Sequence, residues 1–131
     1  FDLVCSVSVF EHLPHEEKIF SDILADIDRL SAPDGWSLHC VDSRLLRDMD
    51  LTHPVVAYIQ GCCRMLTRRI SPYDIAMDPD LFFMTEEAYD ARWKKHTGMD
   101  YEFFGKPYSI NLAWQNLDER STAKTKTDVL T

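Results

Sequence analysis

Glycine is scarce in this chain. Among 131 residues there are four, Gly35, Gly61, Gly98 and Gly105, and no two lie close together. A glycine-rich turn that lets backbone close on a nucleotide cannot be built from them. Cysteine is equally sparse: Cys5, Cys40, Cys62 and Cys63 form no CxxC and no Cys/His group with zinc spacing. That excludes a zinc ribbon and a disulfide framework, and all four read as reduced thiols of a cytoplasmic protein. Cys5 and Cys40 sit in apolar runs, where a thiol behaves as a small hydrophobe. No apolar run is long enough to span a bilayer, and no leader pattern is read at the start. Positive charge is lacking too. The net charge is −8, which repels phosphate backbones and makes nucleic acid a poor partner. The basic residues do not pool beyond a small cluster at Arg64, Arg68 and Arg69.

What remains is the composition of one globular domain with one core. The run from Phe1 to Phe10 (FDLVCSVSVF) is apolar and rich in Val, which predicts a strand near residues 2–8 buried on both faces, as in a parallel sheet. A helix follows over residues 15–30, with Ile19, Phe20, Ile23, Leu24, Ile27 and Leu30 in one stripe. Pro33, Asp34 and Gly35 stop it, and a second strand runs from Trp36 to Asp42. Strand, helix, tight turn and strand make a βαβ unit. Such a sheet binds ligands beyond the carboxyl ends of its strands, here Ser8 to His12 and Val41 to Ser43.

Beyond Asp42 the pattern loosens. Residues 44–51 read as loop or a short helix. A helix begins at His53 and Pro54, with a stripe of Val56, Ile59, Cys63, Leu66 and Ile70. Thr85 caps a further helix that ends at Gly98. Tyr101 to Phe104, a Gly105–Pro107 turn and an alternating arm from Tyr108 to Trp114 predict an antiparallel hairpin. Residues 118–131 form a polar tail.

The run from Phe1 to Pro14 resembles the fourth-strand motif of class I S-adenosylmethionine-dependent methyltransferases. The segment from Ile27 to Gly35 is similar to that family's helix leading into an Arg-x-Leu-x-Pro-Gly-Gly turn, with Asp34 in place of the first glycine. The resemblance is specific over residues 1–42 and loose beyond them. It implies an α/β fold: the C-terminal portion, residues 1–117, of a Rossmann-like doubly wound sheet. That portion holds a parallel βαβ unit, a helical insertion over 43–100 that serves as a substrate lid, and a closing antiparallel hairpin.

The implied activity is transfer of a methyl group from S-adenosylmethionine to a small-molecule acceptor. Ser6, Val7 and Ser8 would line the methionine part of the cofactor. Glu11 and His12 would sit beside the sulfonium and the acceptor atom, with Asp42 on the same side. His12, with an ordinary pKa near about 6.5, could take the acceptor's proton. His39, inside the second strand, reads as a packing residue. Relatives that bind a divalent cation resemble Glu-x-x-Glu-His here; this chain has Ser8 at the first of those positions, so no metal site is expected. The glycine-rich turn and the ribose-binding acid are absent, so the fragment alone is expected to lack activity. The competing expectation is a non-catalytic remnant or interaction module, its first strand left as an open edge that pairs with another chain or another copy.

Overall fold

The computed structural model describes residues 1–47, 49–63 and 83–117. It is a mixed α/β fold built on a four-stranded open sheet. The first strand, β1 (Leu3–Val7), leads through a 3₁₀ turn (Phe10–His12) into helix α1 (Glu17–Leu30). The second strand, β2 (Trp36–Leu46), lies parallel to β1, in register from Leu3↔Trp36 to Val7↔Cys40. The βαβ unit is therefore present. The helix stops where the sequence said it would. Ser31 Oγ donates to the Ile27 carbonyl at 2.8 Å, and Asp34 turns the chain with φ +62°. Gly35 has no room for a Cβ, which would stand 2.8 Å from the Ala32 carbonyl oxygen.

After β2 come a short strand β3 (Met49–Asp50), helix α2 (Pro54–Cys62), three short helices α3 (Glu86–Arg92), α4 (Lys94–Thr97) and α5 (Tyr101–Phe104), and strand β4 (Lys106–Gln115). Strand β4 runs antiparallel along β2, from Trp36↔Gln115 to Leu45↔Lys106. The core lies on one face of this sheet. Phe20, Ile23, Leu24 and Ile27 of α1 and Val55, Val56 and Ile59 of α2 pack there against Val4, Val41, Ile110, Leu112 and Trp114. No helix of the described residues is long and apolar enough to cross a membrane.

Four expectations are corrected. Strand β1 is covered on one face only: Leu3 is 54% and Val7 70% exposed, and Cys5 is exposed between them. The reason is that α1 and α2 pack on the side of β1 that carries Val4, while Leu3, Cys5 and Val7 point to the other. Residues 44–46 and 49–50 are strand, not loop or helix. β2 continues to Leu46 because β4 offers it backbone partners that far, and the chain then folds back at Arg47 (φ +55°) into β3.

The closing hairpin is absent. Residues Tyr101–Phe104 form a helical turn, held by Tyr101 Oη donating to the Met84 carbonyl at 2.7 Å. The strand that follows therefore pairs with β2 instead. The alternation predicted in this arm is otherwise present, with Tyr108, Leu112 and Trp114 buried. Finally, the helix from Thr85 to Gly98 is broken at Trp93 before Gly98 ends it at φ +67°. Leu66, Ile70, the cluster at Arg64, Arg68 and Arg69, and the tail at 118–131 lie outside the described residues.

Candidate functional site

A cavity of about 810 Å³ opens beyond the carboxyl end of β1, against Asp42, Ser43 and Arg44 in the later half of β2. Ser8, Glu11, His12 and Asp42 all line it. Local chain geometry puts them there. Ser8 leaves β1 at φ +52°, a left-handed conformation that ends the strand abruptly. Its N–H still donates to the Cys40 carbonyl at 3.0 Å. Phe10 then turns inward and is buried. Its ring stacks on His39 with centroids 4.6 Å apart. With Phe10 anchored, the 3₁₀ turn presents Glu11 and His12 to the cavity.

Asp42 is held from both sides. Ser8 Oγ donates to its Oδ2 at 2.6 Å and Ser109 Oγ to its Oδ1 at 3.0 Å. One carboxylate of β2 thus ties the end of β1 to β4. Glu11 is the opposite case. Both of its carboxylate oxygens are shielded from water, and neither accepts a hydrogen bond from the described residues. The His12 ring lies beside it, with Nε2 3.7 Å from Glu11 Oε1, too long for a hydrogen bond. The His12 side chain is 77% exposed, the Glu11 side chain 14%. The imidazole therefore stands in solvent and the acid lies buried beside it.

Two other cofactor-lining candidates point elsewhere. Ser6 is turned into the core, its Oγ 2.8 Å from His39 Nδ1. Val7 is on the open face of the sheet and does not line the cavity. His39 itself is stacked between Phe10 and Trp114, the latter with centroids 5.0 Å away. Burial lowers its pKa to about 4, so it is a neutral packing residue and no base. Among the described residues no three His, Cys, Asp or Glu side chains converge as metal ligands would.

Behind Ser43 and Tyr108 of the cavity lining lies a polar cluster that sequence reasoning missed. Tyr108 Oη donates to Asp50 Oδ1 at 2.6 Å, and Thr52 Oγ1 donates to the same oxygen at 2.6 Å. Thr52 Oγ1 also lies 2.7 Å from Ser43 Oγ. Burial, and then the Asp50 carboxylate, push the Tyr108 phenol above its ordinary range. The partners come from β2, β3 and β4, and only the fold brings them together. His53 was missed likewise. Beyond starting a helix, its Nδ1 accepts from the Val55 N–H at 3.2 Å and its Nε2 donates to the Leu13 carbonyl at 3.0 Å. It fastens α2 to the segment that carries Glu11 and His12.

Aromatic side chains close the rest of the cavity: Phe83, Trp93 and Phe104. Arg44 also lines it, but its guanidinium is committed. Nη1 donates to the Phe104 carbonyl at 3.0 Å, and Cζ lies 4.7 Å from the Phe104 ring centre. The arrangement can hold a small molecule against an aromatic wall, with a buried carboxylate and an exposed imidazole at one end. Comparison of the chain with protein-family models, with curated proteins and with solved structures found no match.

Proposed function

We propose that this chain is the acceptor side of a class I S-adenosylmethionine-dependent methyltransferase of the cytoplasm, acting on a small molecule. The observation that carries the reading is a placement. A parallel βαβ unit brings Ser8, Glu11 and His12, past the end of β1, to one cavity with Asp42 of β2, on the side of the sheet where open α/β folds bind ligands. The antiparallel strand beside the parallel pair agrees with the family's closing antiparallel strands, to which the resemblance is loose.

The fit to the cofactor is partial. Ser8 has a short side chain at a sharp bend on the cavity wall, which suits the methionine end. Ser6 and Val7 do not face the cavity, and no pair of glycines makes room for the nucleoside. When bound, S-adenosylmethionine would supply an electrophilic methyl group. This chain's residues would do the positioning, which is most of what a direct displacement requires. Asp42, fixed by two serines, sets the floor. His12, exposed at the mouth, takes a proton from an acceptor that must lose one.

The test is transfer of labelled methyl from S-adenosylmethionine to small molecules by the longest chain that the coding region encodes. Label in a small-molecule product supports the reading, and none across a broad acceptor set contradicts it. A second reading is favoured by a separate observation. Leu3, Val7, Trp36 and Leu38 form an exposed apolar strip on the open face of β1 and β2, and the outer edge of β1 is unpaired among the described residues. A non-catalytic module that pairs through this edge would bury both. Sedimentation of the 131-residue chain separates the two: a stable oligomer lost on Val7→Lys favours the module.

A further inference from the structure

We propose that the cavity takes a small amine bearing an aromatic ring, with its ammonium at Glu11 and its ring against Trp93. This rests on the reading above in so far as it calls the ligand the methyl acceptor; as a binding site it stands on the geometry alone. A carboxylate shielded from water without a hydrogen-bond donor is costly, and neither oxygen of Glu11 is exposed or has a donor among the described residues. The other charged groups on the cavity are already committed or exposed. Asp42 accepts from Ser8 and Ser109, Arg44 is engaged with Phe104, and His12 stands out in solvent.

The unmet demand is therefore for a positively charged N–H donor from a ligand. The terminal torsion of a Glu side chain is soft, so a small rotation brings an oxygen of Glu11 to a donor in the cavity. The wall agrees with a cation of this kind. Trp93 is 40% exposed at the cavity, and no cation of the described residues sits over it. An indole face is the best of the aromatic surfaces for an ammonium or for a stacked ring. The net charge of −8 draws cations and repels anions.

The experiment titrates three ligands of similar shape into the 131-residue chain without S-adenosylmethionine: 2-phenylethylamine, 2-phenylethanol and 3-phenylpropionate. Calorimetry gives the affinity, and the indole signal of Trp93 in an NMR spectrum gives the place. The amine should bind about tenfold or more tighter than the alcohol, because a hydrogen bond to a charged group is the stronger kind, and the propionate should bind weakest. Glu11→Gln keeps the shape and should bring amine and alcohol to equal affinity. Equal affinities in the unaltered chain, or no binding of the amine at about 10 mM, overturn the proposal; that comparison stands even if the variant does not fold. The two readings fail separately. Amine binding without methyl transfer by the longest chain would remove the enzyme and leave the site. Methyl transfer to acceptors without an amine, in a chain that shows no amine preference, would do the reverse.

Discussion

The hydroxyl of Ser8 donates to the carboxylate of Asp42 across 2.6 Å, joining the carboxyl end of β1 to its parallel neighbour β2 at the cavity. Ser8 makes this bond from a left-handed backbone, φ +52°. Two variants separate side chain from backbone. Ser8→Ala and Ser8→Gly both lose the hydrogen bond, at about 1 kcal/mol. Only glycine adopts that φ freely, so Ser8→Gly should be the more stable of the two by about 1 kcal/mol. Urea denaturation measures the difference. Equal stabilities would mean that Ser8 is not left-handed in solution.

His39 gives the fold an acid limit. Burial holds its pKa down at about 4, below the ordinary 6.5. The unfolded chain therefore binds more protons on this group between those values. The stability contributed by the neutral ring is complete above about pH 6.5 and is lost as pH falls toward 4. A depression of that size corresponds to on the order of 3 kcal/mol. His39→Phe keeps a ring between Phe10 and Trp114 and cannot titrate. Its unfolding free energy should fall less than that of the unaltered chain between pH 6.5 and 4. Parallel pH profiles would show that another group sets the limit.

Two left-handed positions differ in what they tolerate. Asp34 sits at φ +62°, where the resembled family has glycine, and Asp is one of the residues that visits this region. Asp34→Gly should leave stability within about 0.5 kcal/mol, while Asp34→Val should cost about 1–2 kcal/mol. Gly105, at φ +96°, has no such freedom, since a Cβ would stand 3.0 Å from the Leu45 carbonyl oxygen. Gly105→Ala should cost about 2 kcal/mol or more, from strain and the close approach together. Thermal melts rank the three variants, and a Gly105→Ala chain as stable as the parent contradicts the packing of β4 against β2.

The βαβ unit could be read from periodicity because each element buries its own stripe: Phe20 and Ile27 on α1, Val41 on β2. The apolar run of β1 misled as to its second face. Leu3 and Val7 carry the composition of a strand buried on both sides, yet only one side is covered by the described residues. Tyr101 to Phe104 misled differently. An aromatic run favours strand, but Gly105 and the bond from Tyr101 to Met84 hold it as a helical turn. At the site, Ser8, Glu11 and His12 could be placed together because the end of β1 can be located from sequence; Asp42 reaches them from inside β2, which runs on to Leu46. The junction of Tyr108 with Asp50 was not, because those residues lie on different strands, far apart along the chain, and meet only through the β2–β4 ladder.

His12 is the residue whose loss should separate chemistry from folding. Its side chain is 77% exposed and packs little. In the longest chain encoded, His12→Ala should leave the melting temperature unchanged and lower methyl transfer about 100-fold, the usual cost of a missing general base. A smaller loss would mean that His12 only positions the acceptor. A variant that transfers methyl at the full rate but melts several degrees lower would make it a structural loop residue.

The central claim is that these residues supply the acceptor side of a methyltransferase and lack the nucleoside side of the cofactor site. It is tested most directly by calorimetric titration of S-adenosylmethionine into two proteins: the 131-residue chain, and the longest chain that its coding region encodes. The account predicts no useful binding by the first and a dissociation constant in the low micromolar range, about −8 kcal/mol, for the second. Low-micromolar binding by the 131 residues alone, or none by either protein, would contradict it.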